Sequence, residues 1–322
     1  MTRASVTVVV PTKNAARTLR ACLESIVRQS VRCGLVVVDC GSVDDSKAIA
    51  SGFADLVLNA APGFSVQRNV GARALPADVI GFVDADMVVG EHVVEQAIEQ
   101  VAAGAGSVVV PERSFGESYW AKVRTFERSM YRGTLESPRF FSYNLFKALG
   151  GYDEDLAAME DTDLGLRAST RARVGRTSDV FLHDEGALTF LAGCRKKAGY
   201  ATGIAAFRRK HGSRALASHL RRPYFEHPSL LLAQPTLALG VLALKGGEAA
   251  AVAGRLLLDK ASRSEHNTRQ DDPQQSRRVP RRSRLPSCEG RVVICYCVSR
   301  LKRRNSTMSS LLIPIHGILI KR

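Results

Sequence analysis

Short β-branched runs alternate with helical patterns from residue 6 to about residue 110. The segments between the runs repeat their apolar residues at helical spacing. This alternation is typical of a mostly parallel sheet flanked by helices. The predicted strands are Val6–Val10, Leu35–Asp39, Leu56–Leu58, Val79–Asp84 and Ser107–Val110. The predicted helices are Ala15–Gln29, Asp45–Ser51, Ser65–Leu75 and Glu91–Ala103.

The pattern after residue 111 is less regular. It predicts a helix from Tyr119 to Tyr131, an extended segment from Phe140 to Asn144, an acidic helix start at Glu160 and a last strand near Val180–His183. Basic residues follow between Arg195 and Lys210, and this segment either rests on anionic lipid or is an ordinary solvated helix.

Two apolar blocks, Ser229–Leu244 and Ala249–Leu258, flank Lys245-Gly246-Gly247-Glu248. The first block is shorter than the roughly 20 residues that cross a bilayer core. It therefore either lies in the membrane interface, spans imperfectly, or packs as a helical hairpin. We expect residues 221–259 to be helical and close to a membrane.

Acidic or turn-forming residues stand where three of the predicted strands end, at Pro11-Thr12-Lys13-Asn14, Asp39 and Asp84-Ala85-Asp86. In a parallel sheet, ligands bind beyond the carboxyl ends of the strands. Asp84-Ala85-Asp86 follows a buried strand, and two such carboxylates can share a hard divalent cation that grips a diphosphate, although an isolated Asp-x-Asp is more often a solvated turn. Asp39 closes the second strand, where it either binds a ribose hydroxyl or base N–H, or caps a turn.

Three acids open a helix at Glu160-Asp161-Thr162-Asp163. They either compensate the helix dipole or include a general base, and their spacing alone does not choose between the two. Asp44 and Asp45 stand where helix N-caps belong, and we assign them to that structural role.

The formal net charge of +15 is unevenly distributed. Residues 260–322 hold 15 Lys and Arg against 4 Asp and Glu, whereas residues 1–259 hold 31 against 27. The charge therefore does not argue for specific nucleic-acid binding by the folded part, and the remote alternative is phosphate contact through a basic, disordered or frame-shifted tail. Seven cysteines without a Cys-x-x-Cys pair, and no signal-peptide pattern, predict a reducing, cytoplasmic location.

Five motifs occur in one order along residues 5–190. They are Val8-Val9-Val10-Pro11-Thr12-Lys13-Asn14, Val36-Val37-Val38-Asp39-Cys40-Gly41-Ser42, Gln67-Arg68-Asn69-Val70-Gly71-Ala72, Phe82-Val83-Asp84-Ala85-Asp86, and Gly150-Gly151-Tyr152-Asp153 before Glu160-Asp161. This series resembles family 2 glycosyltransferases. The resemblance implies a GT-A fold, a nucleotide-sugar donor (UDP-, GDP- or dTDP-sugar) and a metal-assisted inverting displacement with Mg²⁺ or Mn²⁺.

The resemblance also implies roles for individual residues. Pro11 and Asp39 would line the nucleoside pocket, and Arg68 would lie near the base or diphosphate. Asp84 would contact ribose or metal, Asp86 would ligate the metal, and Asp161 would be the catalytic base. His183, at the end of the last predicted strand, is either a third metal ligand or a structural histidine.

The predicted organisation has three parts: residues 1–220 as the transferase domain, divided at residue 110 into nucleotide and acceptor halves; residues 221–259 as the membrane-proximal segment; and residues 260–322 as the tail. A lipid-linked or cell-envelope glycan is the favoured acceptor, as in polysaccharide biosynthesis. The processive-type Gln-x-x-Arg-Trp motif is missing, which favours single addition. Two alternatives stay open, an inactive sugar-nucleotide-binding relative and a sugar-1-phosphate nucleotidyltransferase.

Overall fold

A computed structural model describes residues 4–131, 136–226 and 228–270, with backbone only for 218–226 and 262–270. The strands are β1 Val6–Thr12, β2 Gly34–Asp39, β3 Leu56–Asn59, β4 Val79–Phe82, β5 Met87–Val89, β6 Ser107–Val109, β7 Glu112–Phe115, β8 Pro138–Ser142, β9 Val174–Arg176 and β10 Phe181–Asp184. The helices are α1 Ala16–Val27, α2 Ser46–Ser51, α3 Phe64–Ala74, α4 Val93–Ala102, α5 Tyr119–Ser129, α6 Tyr143–Ala148, α7 Glu160–Ser169, α8 Phe190–Gly199, α9 Ala201–Glu226, α10 Pro228–Ala233 and α11 Pro235–Gln270.

A seven-stranded sheet has the order β3-β2-β1-β4-β8-β6-β9. The first four strands in this order are parallel, and β8 runs antiparallel to both of its neighbours. A second sheet has the order β5-β10-β7. The prediction of a mostly parallel sheet flanked by helices is confirmed.

One core lies on each face of the large sheet, because the strands alternate their apolar side chains between the two faces. Helix α3 approaches the sheet closely at Gly71, where a Cβ atom would lie 2.3 Å from Val9 Cγ1. This close approach brings the polar side chains of α3 to the carboxyl ends of β1 and β2.

Several predicted boundaries differ from the structure. Strand β4 ends at Phe82, and Asp84 lies in a turn closed by a hydrogen bond from Met87 N to Asp84 O. The predicted extended segment to Asn144 gives way to a helix at Tyr143, because Ser142 caps that helix through Leu145 N. Strands β5, β7 and β9 have only three or four residues, too short for a recognisable pattern.

The two apolar blocks belong largely to one helix, α11, which continues through Gly246 and Gly247. Gly247 allows close packing, since a Cβ there would lie 2.4 Å from the Phe190 ring of α8. On the same side of α11, Glu248 is buried and paired with Arg124 of α5. The boundary predicted at residue 260 falls inside this helix. Most of the predicted tail, from residue 271, lies outside the described residues.

Candidate active site

The carboxyl ends of β2, β1 and β4 lie side by side, because these strands are neighbours in the large sheet. Pro11 in β1 is opposite Val38, and Asp39 is opposite the last residue of β1. Val83 continues from β4 by donating its N–H to Val9 O, which sets the turn holding Asp84 at the same edge. Three of the predicted site residues therefore lie along one edge of the sheet.

The loops after β1 and β2 are joined by hydrogen bonds from backbone to side chain. Asn14 N donates to Ser42 Oγ at 2.8 Å, and Val43 N donates to Asn14 Oδ1 at 2.9 Å. Asn14 has φ of 49°, in the left-handed region that asparagine tolerates better than most residues. These bonds hold both loops in one shape above the strand ends.

Asp39 is 1% exposed and lies under the second of these loops. Its Oδ2 accepts hydrogen bonds from Gly41 N at 2.9 Å and Ser42 N at 3.0 Å, and it lies 3.3 Å from Lys47 Nζ. Burial raises the pKa of Asp39, but the contacts with Ser42 and Lys47 outweigh it and hold the pKa below its usual range. Its Oδ1 is buried without a hydrogen-bond partner. A ligand N–H or O–H would satisfy this acceptor.

Two polar residues of the Gln-Arg-Asn motif in α3 hold the surrounding backbone. Gln67 Nε2 donates to Thr12 O at 3.1 Å and to Val38 O at 2.7 Å, at the ends of β1 and β2. Asn69 donates to Tyr152 O and accepts from Tyr152 N, both at 2.9 Å. The motif thus joins the strand ends to the Gly-Gly-Tyr turn, which explains why both motifs occur in one sequence.

Arg68, between these two residues, is 3% exposed and pairs with two carboxylates. Its guanidinium donates to Asp84 Oδ1 and to Glu160 Oε1, each at 2.7 Å. The rings of Phe64 and Tyr152 lie 5.4 and 5.2 Å from its Cζ. Arg68 therefore connects the turn after β4 to the start of α7. Its predicted contact with a base or diphosphate stays a prediction.

Replacing Arg68 by Met is expected to lower the free energy of unfolding by about 3 kcal/mol, because Asp84 and Glu160 would lose a buried partner. Urea denaturation measures the change. Arg73→Met is the matched control, since Arg73 lies on the same helix with its side chain exposed, and it should change stability by less than about 0.5 kcal/mol. Equal effects of the two substitutions would contradict a structural role for the Arg68 ion pairs.

Asp84 has a second cationic neighbour, Arg139 of β8, whose Nη1 lies 3.3 Å from Asp84 Oδ2. Burial raises the pKa of Asp84, but Arg139 and Arg68 outweigh it and hold the pKa well below its usual range. Arg139 also pairs with Glu112 of β7 at 2.6 Å. Burial raises the pKa of Glu112, whereas Arg139 and His183 bring it down to about 2. Both carboxylates are therefore ionised at neutral pH.

Asp86 and His183 form the other end of this network. His183 Nε2 lies 3.2 Å from Asp86 Oδ2, and His183 Nδ1 lies 2.9 Å from Arg128 Nη1 and 3.8 Å from Glu112 Oε2. Burial lowers the pKa of His183, but Asp86 and Glu112 raise it to about 9. The Asp86 side chain is 37% exposed, more than that of Asp84 at 23%. Asp86 is thus the more accessible of the two acids.

These residues can be tested against a divalent cation. Among the described residues, no three His, Cys, Asp or Glu side chains converge as a closed metal site. Asp86 Oδ2 and His183 Nε2 are 3.2 Å apart, close to the separation of adjacent ligands in an octahedron with bonds of about 2.1 Å. Mg²⁺ in such sites is usually held by one or two protein ligands with substrate phosphates and water. Asp86 fits an open site of this kind, and His183 would join it only in its neutral form, because a ligating imidazole nitrogen must give up its proton.

The three acids at the start of α7 have different surroundings. Glu160 is buried and bonded to the guanidinium of α3, and burial raises its pKa against the effect of that partner. Asp163 is fully buried and paired with cationic side chains. Asp161 is partly exposed, and its Oδ1 accepts from Thr162 N at 2.7 Å. The helix starts after Met159, which has φ of 62°. Of these three acids, Asp161 is the one that is not buried.

Sequence reasoning missed Arg139, Glu112 and Arg128, which surround the predicted residues. Arg139 could have been found, because it interrupts the buried apolar run of β8 and such a charge requires a partner. Glu112 and Arg128 had no such signal. Their positions depend on β7 lying beside β10 and on α5 packing near β7, which are long-range arrangements.

Comparison with known proteins agrees with this architecture. The family described as Glycosyl transferase family 2 matches residues 7–152. Glycosyltransferase GlyA of Streptococcus pneumoniae is 28% identical over 165 residues, covering 45% of this chain and 24% of the relative. Succinoglycan biosynthesis protein ExoA of Rhizobium meliloti is 27% identical over 194 residues, covering 52% of this chain and 58% of the relative. The chain thus spans about a quarter of the length of GlyA and somewhat more than half of the length of ExoA.

A solved structure extends the comparison to the fold. The mannosyltransferase of Pyrobaculum calidifontis, solved with GDP-Man and Mn²⁺, superposes with a TM-score of 0.52 at 20% identity, covering 85% of this chain and 83% of the neighbour. The matched segment of residues 7–152 contains β1 to β4, the Asp84 turn and the Gly-Gly-Tyr turn. Residues 7–152 are therefore similar to family 2 glycosyltransferases, and the chain has a GT-A-like fold.

Proposed function

We propose that this protein transfers a sugar from a nucleoside-diphosphate sugar to an acceptor hydroxyl with inversion at the anomeric carbon. The observation that carries the proposal is the position of the acids. Asp39 and Asp84 lie at one edge of the sheet. Helix α7, which carries Asp161, is connected to Asp84 because Arg68 donates to both Glu160 and Asp84. A UDP-, GDP- or dTDP-sugar is the donor class.

Each residue has a distinct part in the reaction. Asp39 accepts from the nucleoside through its open Oδ1, and Pro11 lines the same pocket. Asp161 takes the proton of the acceptor hydroxyl while the hydroxyl oxygen bonds to the anomeric carbon. The bond between that carbon and the diphosphate breaks in the same step. Asp86 with His183 would hold Mg²⁺ or Mn²⁺, which when bound neutralises charge on the diphosphate, and Asp84 would contact the ribose. The neighbour's Mn²⁺ supports this metal class.

Product analysis tests the proposal. Purified protein is incubated with a panel of nucleotide sugars, Mg²⁺ or Mn²⁺, and glycan or lipid-linked acceptors. Glycosyl transfer releases free nucleoside diphosphate in step with glycosylated acceptor. Release of pyrophosphate would instead indicate a sugar-1-phosphate nucleotidyltransferase. Metal-dependent thermal stabilisation by a donor without turnover of any acceptor would indicate an inactive binding relative.

We further propose that the protein works at the cytoplasmic face of a membrane, with α11 lying on the surface. Residues Pro235–Ala261 of α11 are long and apolar enough to cross a bilayer, with mean hydropathy 1.4. However, its buried Glu248 pairs with Arg124 of α5, so spanning would draw this charged pair into hydrocarbon. The opposite side exposes Leu239, Leu242 and Leu257, each by about two thirds. A lipid-linked or envelope glycan acceptor suits this placement.

The double substitution Leu239→Glu and Leu242→Glu is expected to weaken binding to phosphatidylcholine and phosphatidylglycerol vesicles about tenfold or more, because two leucines lose their burial in lipid. Vesicle co-sedimentation measures it. Val27→Glu is the control. Val27 is the last residue of α1 and is 60% exposed, and this variant should bind vesicles like wild type. Unchanged binding by the double variant would contradict the assigned face.

A further inference from the structure

A second charged cluster lies behind the proposed base, between α7 and α9. Asp163 is fully buried, and its Oδ1 lies 2.8 Å from both Lys210 Nζ and His211 Nε2. Its Oδ2 lies 2.7 Å from Arg167, one turn further along α7. Lys210 also pairs with Asp153 at 2.6 Å. Three cationic or imidazole groups, two of them from α9, thus converge on one carboxylate two residues after Asp161.

The first part of α9 is packed tightly against the loop that leads into α7. Ala201 is fully buried, and Gly203 lies so close to this loop that a Cβ there would be 2.3 Å from Ala158 N. Phe207 is 1% exposed, and its ring centroid is 4.6 Å from that of His211. The helical path is interrupted at Gly212, directly after His211. The segment from Ala201 to His211 therefore contacts the loop at Gly203 and α7 through Lys210 and His211.

The backbone held by this surface is strained. Met159, between Ala158 and Glu160, has φ of 62°, a left-handed conformation that is unfavourable for a residue other than glycine and persists only where its surroundings enforce it. Gly203 packs on one side of this turn, and Lys210 and His211 hold Asp163 on the other. The direction in which Asp161 leaves the turn depends on both restraints.

We propose that Ala201–His211 is a positioning element for the catalytic base, with Lys210 and His211 fixing the turn and helix that carry Asp161. This inference rests on the proposed function, in which Asp161 accepts the acceptor proton. A small displacement of a base relative to its substrate lowers turnover, whereas donor binding at the sheet edge uses other residues. Lys210 and His211 are positioning residues, since they act through Asp163.

The test is a steady-state comparison of Lys210→Met with wild-type protein. We expect Lys210→Met to lower kcat about tenfold with an unchanged KM for the donor. His211→Gln should lower kcat in the same direction. Lys210→Arg, which keeps the charge, should restore most of kcat. Arg209→Met is the matched control, since Arg209 is the preceding residue of α9 and is exposed.

Thermal unfolding and donor-induced stabilisation of each variant separate positioning from loss of fold. A folded, donor-binding Lys210→Met protein with wild-type kcat would overturn the inference. An equal loss of kcat in Arg209→Met would overturn it as well, because a general charge effect would then explain both. Absence of glycosyl transfer by the wild-type protein with every donor and acceptor would refute the proposed function, and the inference would fall with it.

Discussion

Replacing Asp161 by Asn is expected to lower turnover by about 10³-fold while leaving donor binding unchanged. The amide keeps the size of the side chain but cannot accept the proton of the acceptor hydroxyl. The neighbouring acids do not replace it, because Glu160 is bonded to Arg68 and Asp163 to Lys210. Initial rates of nucleoside diphosphate release and donor-induced thermal shifts measure the two quantities.

Asp155→Asn is the matched control for this substitution. Asp155 is an exposed acid in the loop before α7, and its loss should leave turnover within about twofold of wild type. If Asp161→Asn kept a third or more of wild-type turnover, another group would have to be the base. Glu160 would then be the next residue to replace.

Replacing Asp86 by Ala is expected to abolish metal-dependent donor binding and to lower turnover by about 10³-fold, since the diphosphate would lose its neutralising cation. Asp86 is the more exposed acid of the pair and lies 3.2 Å from His183. Thermal stabilisation by a donor with and without Mn²⁺ gives the binding readout, and removal of the metal from wild-type protein by a chelator should reproduce the loss.

His183→Asn separates the two interpretations of the histidine. If His183 only orients Asp86, its loss should raise the metal concentration that gives half-maximal turnover about 10- to 100-fold. If His183 itself ligates the cation, the increase should exceed about 100-fold. Asp45→Ala is the control, because Asp45 is an exposed acid at the start of α2. Wild-type metal dependence in Asp86→Ala would contradict the proposed site.

The long periodic elements were predictable because their signal is local. Helices α1, α3 and α4 and strands β1 and β2 occur where the apolar pattern placed them, within a few residues. The start of α7 at Glu160 was also predicted. In the second sheet, β10 was predicted. Strands β5 and β7 were not, because a strand of three or four residues has too few positions for a period to be recognised.

The candidate site shows the same division. The acids after β2 and β4 could be selected because a strand end is visible in the sequence, and the order of the motifs resembled a known family. The partners of those acids could not be selected. Arg139 reaches Asp84 from 55 positions further along the chain, and His183 reaches Asp86 from 97 positions away. Such pairs depend on strand order in the sheet.

By itself, the sequence determined the fold class and family and the set of acids at the strand ends, because hydrophobic period and motif order are properties of neighbouring residues. Only the tertiary structure decided the separate surroundings of Glu160, Asp161 and Asp163. Burial and ion pairs bind the first acid to α3 and the third to α9. Charges adjacent in sequence acquire different environments only when distant helices pack against them.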